Sequence, residues 1–539
     1  MNRIHLYILL LLLCLSSATF AQENKNRLSY SQLMNFLEVD SIDFQQKEIE
    51  HKAQKGDAKA MEELGLYYLD IHNQKEAERW LLKSFKKGNQ RAATILGLKN
   101  YIDGDGSKSV EWYLKAPDDP VANYLLAMAY LDSELPQYDA AKGIAYLKKS
   151  LQQDFPNAYW YMGNVLQYGE FGEKVDLKKA VEYYANAASA GLSDAQLSLG
   201  ECYASGQGVE RNDQLAFYWV QKAAEQEEPD ALATLGAFYH DGIGVKVDME
   251  KAYRLVCKAD SMESEKGRFN KAIFMIEGAG TEVDEPHGVQ ILKPYADDGD
   301  DTALYYLARA YLSEEGVPAD YEKALKYANA SAEKGNEDAV KLLAAMYMNG
   351  EGVEKNVAKA EEILQNAIDR DSTEFSLRYM LVEMLVDKCL KDAGQDVENL
   401  GEKVDVKRIE KLLEPCMEAG DLPAICSYVG LKMMSRKFQE AYDLLKRLED
   451  KSKAKGDSTF LKLAGGMYYA LVNHLVENDT KENIALATRI ADDGNATVEF
   501  MLGGYYYRKK NMKLAREFYR RAAKHGNKDA EVELKYLEE

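Results

Sequence analysis

An acidic or amide residue returns at a fixed interval along this chain. Asp176, Asn212, Asp248, Asp284, Asp320 and Asn356 follow one another in steps of 36 residues. A small residue stands four places after each, at Ala180, Ala216, Ala252, Gly288, Ala324 and Ala360. A third series, Gly200, Gly236, Ala272, Ala308 and Ala344, keeps the same step. Gly163 precedes it by 37, because "YGEFGEKVD" carries one extra residue. Three series in register over six units mark a repeat array, whose units cannot bury an apolar face alone and must stack.

Each unit reads as two helices. In "DAQLSLGECYASG", Ala195, Leu199 and Tyr203 share one helical face. Gly206 ends that helix, since glycine accepts the left-handed conformation a helix terminus needs. Asn212 is placed to cap the next helix through its side-chain oxygen. Leu215, Ala216, Trp219 and Ala223 then face inward. Gly200 leaves room where the partner helix crosses. The expectation is an all-α chain, an α-solenoid of stacked antiparallel helix pairs. The turn "HDGIGVKVD" (240–248) carries a Gly-x-Gly that recurs at Gly206/Gly208, Gly242/Gly244, Gly278/Gly280 and Gly350/Gly352, and all eight glycines are assigned a structural role in their turns. A dinucleotide loop needs a third glycine and a preceding strand. Here Val247 takes the third place after a helix, and a phosphate loop would not repeat with a packing period.

The stretches "ALATLGAFYHDGIGVKVDMEKA" (231–252), "AQLSLGECYASGQGVERNDQLAFYWVQKAAEQ" (195–226) and "LLAAMYMNGEGVEKNVAKAEEILQNA" (342–367) resemble the Sel1-like repeat family, within the tetratricopeptide-like solenoids. The likeness is strongest over 158–370. Residues 57–91, 424–456 and 497–530 have shorter turns and look closer to plain tetratricopeptide units. At 268–296 the pattern departs, with Pro286 in the first turn of a second helix, a position that tolerates proline.

Residues 1–21 read as a secretory signal peptide, with Arg3, an apolar run from Ile8 to Leu15 and a cut after Ala21. Cys14 lacks the setting of a lipoprotein cysteine. Residues 22–48 are assigned as a cap, 49–370 as the main solenoid, and 371–539 as a C-terminal solenoid. That last part has a charged insertion at 391–406 and a polar terminal helix. No later run approaches the apolar length of a membrane span. The expected protein is therefore exported, in the periplasm or outside the cell. Five cysteines remain after the leader. Cys202 and Cys257 read as buried thiols, whereas Cys389, Cys416 and Cys426 allow one disulfide that geometry must decide.

The net charge of −21 over 539 residues describes a solvated acidic surface. No Lys/Arg cluster stands clear of nearby acids, so no nucleic-acid footprint is read. "DGDGSKSVEW" (103–112) alternates Asp103, Asp105 and Ser107 but has Lys108 and Leu114 where a calcium loop needs its glycine and its last acid. His51, His72, His240, His287, His474 and His525 show no metal spacing. Some cysteine-rich members of the resembled family are associated with β-lactams. Ser84-x-x-Lys87 and Ser331-x-x-Lys334 match one motif of such chemistry, and its companion motifs are missing. No cofactor or metal is expected.

What the resemblance implies is recognition. A solenoid offers a concave face lined by first helices, which takes a peptide or protein partner. One column of that face runs Trp160, Leu197, Ala233, Phe269, Tyr305 and Lys341, beside Tyr161, Glu201, Tyr306 and Arg309. Aromatics near an arginine suit a binding hot spot; the same residues equally suit packing between repeats. The leading expectation is a non-catalytic scaffold in the cell envelope. The alternatives are an envelope enzyme or enzyme subunit, and a peptidoglycan- or polysaccharide-binding protein.

Overall fold

A computed structural model describes residues 46–313, 316–370, 375–393, 406–419, 421–434, 436–455 and 458–538. The leader, most of the assigned cap and most of the 391–406 insertion lie outside these residues. Among the described residues the chain forms 28 helices and no strand, paired in sequence order. This is the α-solenoid that the period requires.

The six periodic Asp and Asn residues hold the hairpins together in the same way. Their side-chain oxygens accept from backbone N–H groups three residues on, at 3.2 Å for Asp176, 3.0 Å for Asn212, 3.0 Å for Asp248, 3.3 Å for Asp284, 3.1 Å for Asp320 and 3.0 Å for Asn356. The backbone N–H of each also donates back to the first helix, as Asn212 does to Tyr203 O at 2.9 Å and Asp248 to Tyr239 O at 2.9 Å. One residue thus starts the second helix and ties the turn to the first. Asp105 in the calcium-like stretch has this capping role too, accepting from Lys108 N at 3.0 Å.

Within several hairpins a glycine faces a bulky residue. A Cβ on Gly163 would stand 2.5 Å from the Tyr184 ring, and one on Gly200 would stand 2.6 Å from Val220. Gly236 faces Val256 in the same way. The relation extends beyond the strongest repeats: Gly65 faces Leu81, Gly97 faces Tyr113 and Gly503 faces Tyr519. It is reversed at Gly143, which faces Leu131, and at Gly288, which faces Ile276. In these hairpins the glycine, having no Cβ, leaves the space that the facing side chain fills.

The two turn glycines have different roles. Gly206, Gly242, Gly278 and Gly350 end first helices with φ of 73°, 75°, 69° and 82°. The second glycine of three turns lies half-buried on the backbone of the preceding repeat. A Cβ on Gly208 would run into the Leu177 carbonyl, one on Gly244 into the Asp213 carbonyl, and one on Gly280 into the Met249 carbonyl. Stacking of one repeat on the next therefore uses this position. Gly352 differs from the other three in its surroundings. It keeps the left-handed backbone, with a φ of 69°, but it is exposed. A Cβ there would meet the Tyr321 side chain, 2.7 Å from its Cβ, instead of a carbonyl. The bulky Tyr321 stands where Leu177, Asp213 and Met249 stand in the earlier repeats, so its side chain takes the contact that backbone makes elsewhere. Gly352 is thus a turn residue held by its φ and does not seat backbone on backbone.

The chain divides into two compact units. One contains the residues up to Pro294 together with Gly316 and Val317; the other contains Tyr295–Ser313 and the residues from Pro318 onward. The division falls at a proline inside helix Glu285–Asp297, where a backbone donor is missing. Position 370 lies within the second unit. Each unit has its own apolar cores, the largest centred on Tyr124, Leu126, Leu147 and Tyr184 in the first and on Leu343, Leu364, Leu381 and Leu413 in the second.

Candidate functional site

In the first unit, the first helices of neighbouring repeats, Pro229–Asp241 and Glu265–Glu277, pack on one another. Lys266 reaches Glu201 at 2.5 Å, across the intervening repeat. First helices therefore line the inner side of this stretch. His240 lies on the same side, stacked on Phe274 at 4.7 Å, with Nδ1 2.6 Å from Asp241 and Nε2 3.3 Å from Glu277.

The column expected to line a groove is more deeply packed than its spacing suggested. Leu197 and Ala233 are buried and belong to the core between repeats. Trp160 and Tyr161 are half-buried against the main core. The Trp160 ring N–H donates to Ser198 Oγ on the next repeat's first helix, 3.2 Å away. Burial drives the Tyr161 phenol far above the usual tyrosine range. Phe269 and Glu201 are half-buried. In the second unit, Tyr305 and Tyr306 meet edge to face at 5.2 Å, and Arg309 lies over both rings, 5.6 and 5.4 Å from their centres. Lys341 pairs with Glu337 and Asp338 on its own helix, at 2.6 and 3.3 Å. These candidates thus form two separate groups, one in each unit.

Lys266, Ser198 and His240 escape a reading by columns. Their partners lie 65, 38 and 37 residues away, distances that no single repeat displays. The tryptophans were legible. Trp80, Trp112 and Trp219 each stand seven residues past a cap, and Lys83, Lys115 and Lys222 stand three further on. Lys83 and Lys115 cover their tryptophan rings at 4.0 Å, a cation–π contact.

The charge is less evenly mixed than expected. Residues 79–102 hold Arg79, Lys83, Lys86, Lys87, Arg91 and Lys99 without one acid. Three of these cations still meet nearby acids, Arg79 with Glu76, Arg91 with Glu62 and Lys99 with Glu78, so the run as a whole does not stand clear of them.

The serines of the two Ser-x-x-Lys matches serve the fold. Ser84 Oγ donates to Ala58 O at 2.6 Å and Ser331 Oγ to Asp301 O at 2.7 Å, each fastening a second helix to its first. Among the described residues no group of three or more His, Cys, Asp or Glu could hold a metal ion, and no helix is long and apolar enough to cross a membrane. Cys202, Cys257, Cys416 and Cys426 are free thiols, so Cys416 and Cys426 do not pair. Cys202 is buried, but Cys257 is only half-buried, which corrects its expected burial. The side chain of Cys389 lies outside the described residues.

Comparison with known proteins agrees with this architecture. The Sel1 repeat family matches nine stretches: 58–89, 96–116, 120–155, 156–192, 193–228, 229–259, 302–336, 338–372 and 496–527. The segments near 57–91 and 497–530, expected to be plain tetratricopeptide units, are thus matched as Sel1 repeats. Among curated relatives, alginate biosynthesis protein AlgK of Pseudomonas syringae pv. tomato is 29% identical over 23% of this chain and 27% of its own. Chitin synthase regulatory factor 3 of Schizosaccharomyces pombe is 29% identical over 26% of this chain and 16% of its own. The matches therefore span about a quarter and a sixth of those relatives. The crystal structure of c5321, a protective antigen of uropathogenic Escherichia coli with an SLR fold, aligns over 89% of this chain and 97% of its own, at 22% identity and a TM-score of 0.43. With family matches over more than half its length, the chain belongs to the Sel1 repeat family.

Proposed function

We propose that this protein is an exported, non-catalytic scaffold that takes a protein or peptide partner along the inner face of its first helices. The observation that carries this reading is the row of half-buried aromatic and charged side chains on first helices of the first unit. Trp160, Tyr161, Glu201 and Phe269 combine rigid aromatic area with charge, the composition of interface anchors. The Tyr305–Tyr306–Arg309 group offers the second unit a similar element. Sel1 repeats are an interaction scaffold, and two relatives are named for polysaccharide biosynthesis or its regulation. The N-terminal charge and apolar pattern supports export, which puts the partner in the cell envelope.

The test is crosslinking of the tagged full chain in its envelope fraction, followed by mass spectrometry. A defined partner should be captured by the native chain, and its yield should fall in Glu201→Gln/Lys266→Gln or in Tyr305→Ala/Arg309→Ala. Identical capture by native and substituted chains would remove the inner face from consideration.

A further inference from the structure

A cavity of about 570 Å³ lies where helix Gln46–Gln54 meets helices Ala58–Asp70 and Gln74–Lys86. Ala53, Met61 and Trp80 give it an apolar floor, and Lys55, Lys83, Lys86 and Lys87 surround it. Nearby acids are engaged elsewhere: Glu48 with Lys52, Glu76 with Arg79, Glu62 with Arg91, and Glu78 with Lys99. Among the described residues none lies within ion-pair distance of the four lysines. Four lysines without an ion-pair partner among the described residues, one of them lying over the Trp80 ring, stand out in a chain of net charge −21.

The repeat register shows what they lack. Lys83 stands ten residues past its cap Asn73, as Lys258 stands ten past Asp248. Lys258 pairs at 3.0 Å with Glu227, from the connection leading into its own repeat. Glu227 has a φ of 60° and precedes the cap Glu228; its counterpart before Lys83 is Gly56, with a φ of 98° ahead of the cap Asp57. Where the interior repeat supplies a carboxylate, this connection supplies a glycine and adds Lys55.

We propose that this pocket receives an acidic peptide segment of a partner protein. The segment places a carboxylate where Glu227 places its own and an apolar side chain on the floor between Met61 and Trp80. Charge complementarity favours an anion, and the Lys258–Glu227 pair shows that this position accepts a carboxylate. The setting disfavours phosphate. The cations of the lining are all lysines, and the planar arginine fork that grips phosphate through two bonds is not among them. The pocket lies apart from the inner-face residues, so failure of either reading leaves the other standing.

The test uses the full chain and a fluorescein-labelled peptide of alternating glutamate, leucine and phenylalanine, read by fluorescence anisotropy. A glutamine-for-glutamate analogue, a phosphoserine peptide and an oligogalacturonate are measured alongside. The acidic peptide should bind and weaken with added salt. The triple variant Lys83→Gln/Lys86→Gln/Lys87→Gln should weaken it by about tenfold or more, and Lys222→Gln, at a lysine paired with Glu225, should not. If the triple variant loses its cooperative helical melt, Lys87→Glu, at an exposed position, takes its place. The proposal is overturned by absent binding, by equal binding of the neutral analogue or by unchanged affinity in the lysine variants. Tighter binding of the phosphopeptide or the oligogalacturonate also overturns it.

Discussion

Gly200 lies directly under Val220, so near that a Cβ on the glycine would stand 2.6 Å from Cγ2 of the valine and 3.1 Å from the Ala216 carbonyl. Gly200→Ala should therefore destabilise the chain. Overpacking costs about 1–3 kcal/mol, which exceeds a helix-propensity gain of about 1 kcal/mol. Adding Val220→Ala recreates the Ala308 and Ala328 combination of a later repeat, both fully buried. A double-mutant cycle by thermal melting should show favourable coupling above about 0.5 kcal/mol. Strict additivity would mean that the two side chains do not compete for space.

Gly280 tests the contact between repeats. It has a φ of 69° and faces the Met249 backbone, whereas Gly88 has a φ of 92° with nothing near its Cβ position. Alanine at either site pays for a left-handed backbone, about 1–3 kcal/mol. Gly280→Ala must also push a neighbouring repeat away. Its melting temperature should fall further than that of Gly88→Ala, and equal losses would assign the whole effect to φ.

Glu228 predicts a pH dependence. Burial, then repulsion from Asp194 and Asp230, raises its carboxyl to about 8, although backbone N–H groups of Asp230 and Ala231 oppose the shift. The folded value lies above the unfolded one, 4.5. Glu228 therefore favours folding fully below the unfolded value, and this contribution is lost as pH rises through the folded one. The slope is at most about 1.4 kcal/mol per pH unit. Glu228→Gln keeps a capping oxygen and should gain stability over the native chain as pH rises through this window. Parallel pH–stability curves for the two proteins would contradict the assignment.

Cys202 should resist modification. Burial, helped by the charge of Glu201, raises its thiol to about 11, and only thiolates react rapidly. Maleimide at pH 8 followed by peptide mapping should label half-buried Cys257 at least about tenfold faster. Denaturation should abolish the difference.

The Lys266–Glu201 pair should matter little to stability. Its side chains are 41% and 44% exposed, and such pairs contribute about 0–1 kcal/mol. A double-mutant cycle with glutamine at both positions should give coupling in that range, smaller at high salt. A larger value would make the pair a structural clamp and weaken its use as an interface.

The period, the hairpin, the capping residues and the positions of both turn glycines were legible in the sequence. Each depends on interactions within a hairpin or on a constraint repeated at a constant offset. Gly206, Gly242 and Gly278 mark their turns because only glycine adopts that conformation without strain. The sequence also exposed the family, because its motif is made of such packing constraints. It did not show how deeply Leu197 and Ala233 are buried, because burial depends on how closely one repeat lies on the next. For the same reason it did not separate exposed Gly352, which meets a side chain, from Gly208, Gly244 and Gly280, which meet backbone.

Only the tertiary structure paired Lys266 with Glu201, stacked His240 on Phe274 and left Lys83 without the carboxylate that Lys258 has. It also divided the chain into two compact units at Pro294. The physical reason is common to all four. Local capping and close packing depend on residues a fixed distance apart in the chain. Side-chain meetings across repeats depend on how the helices stack, which no single position along the chain records.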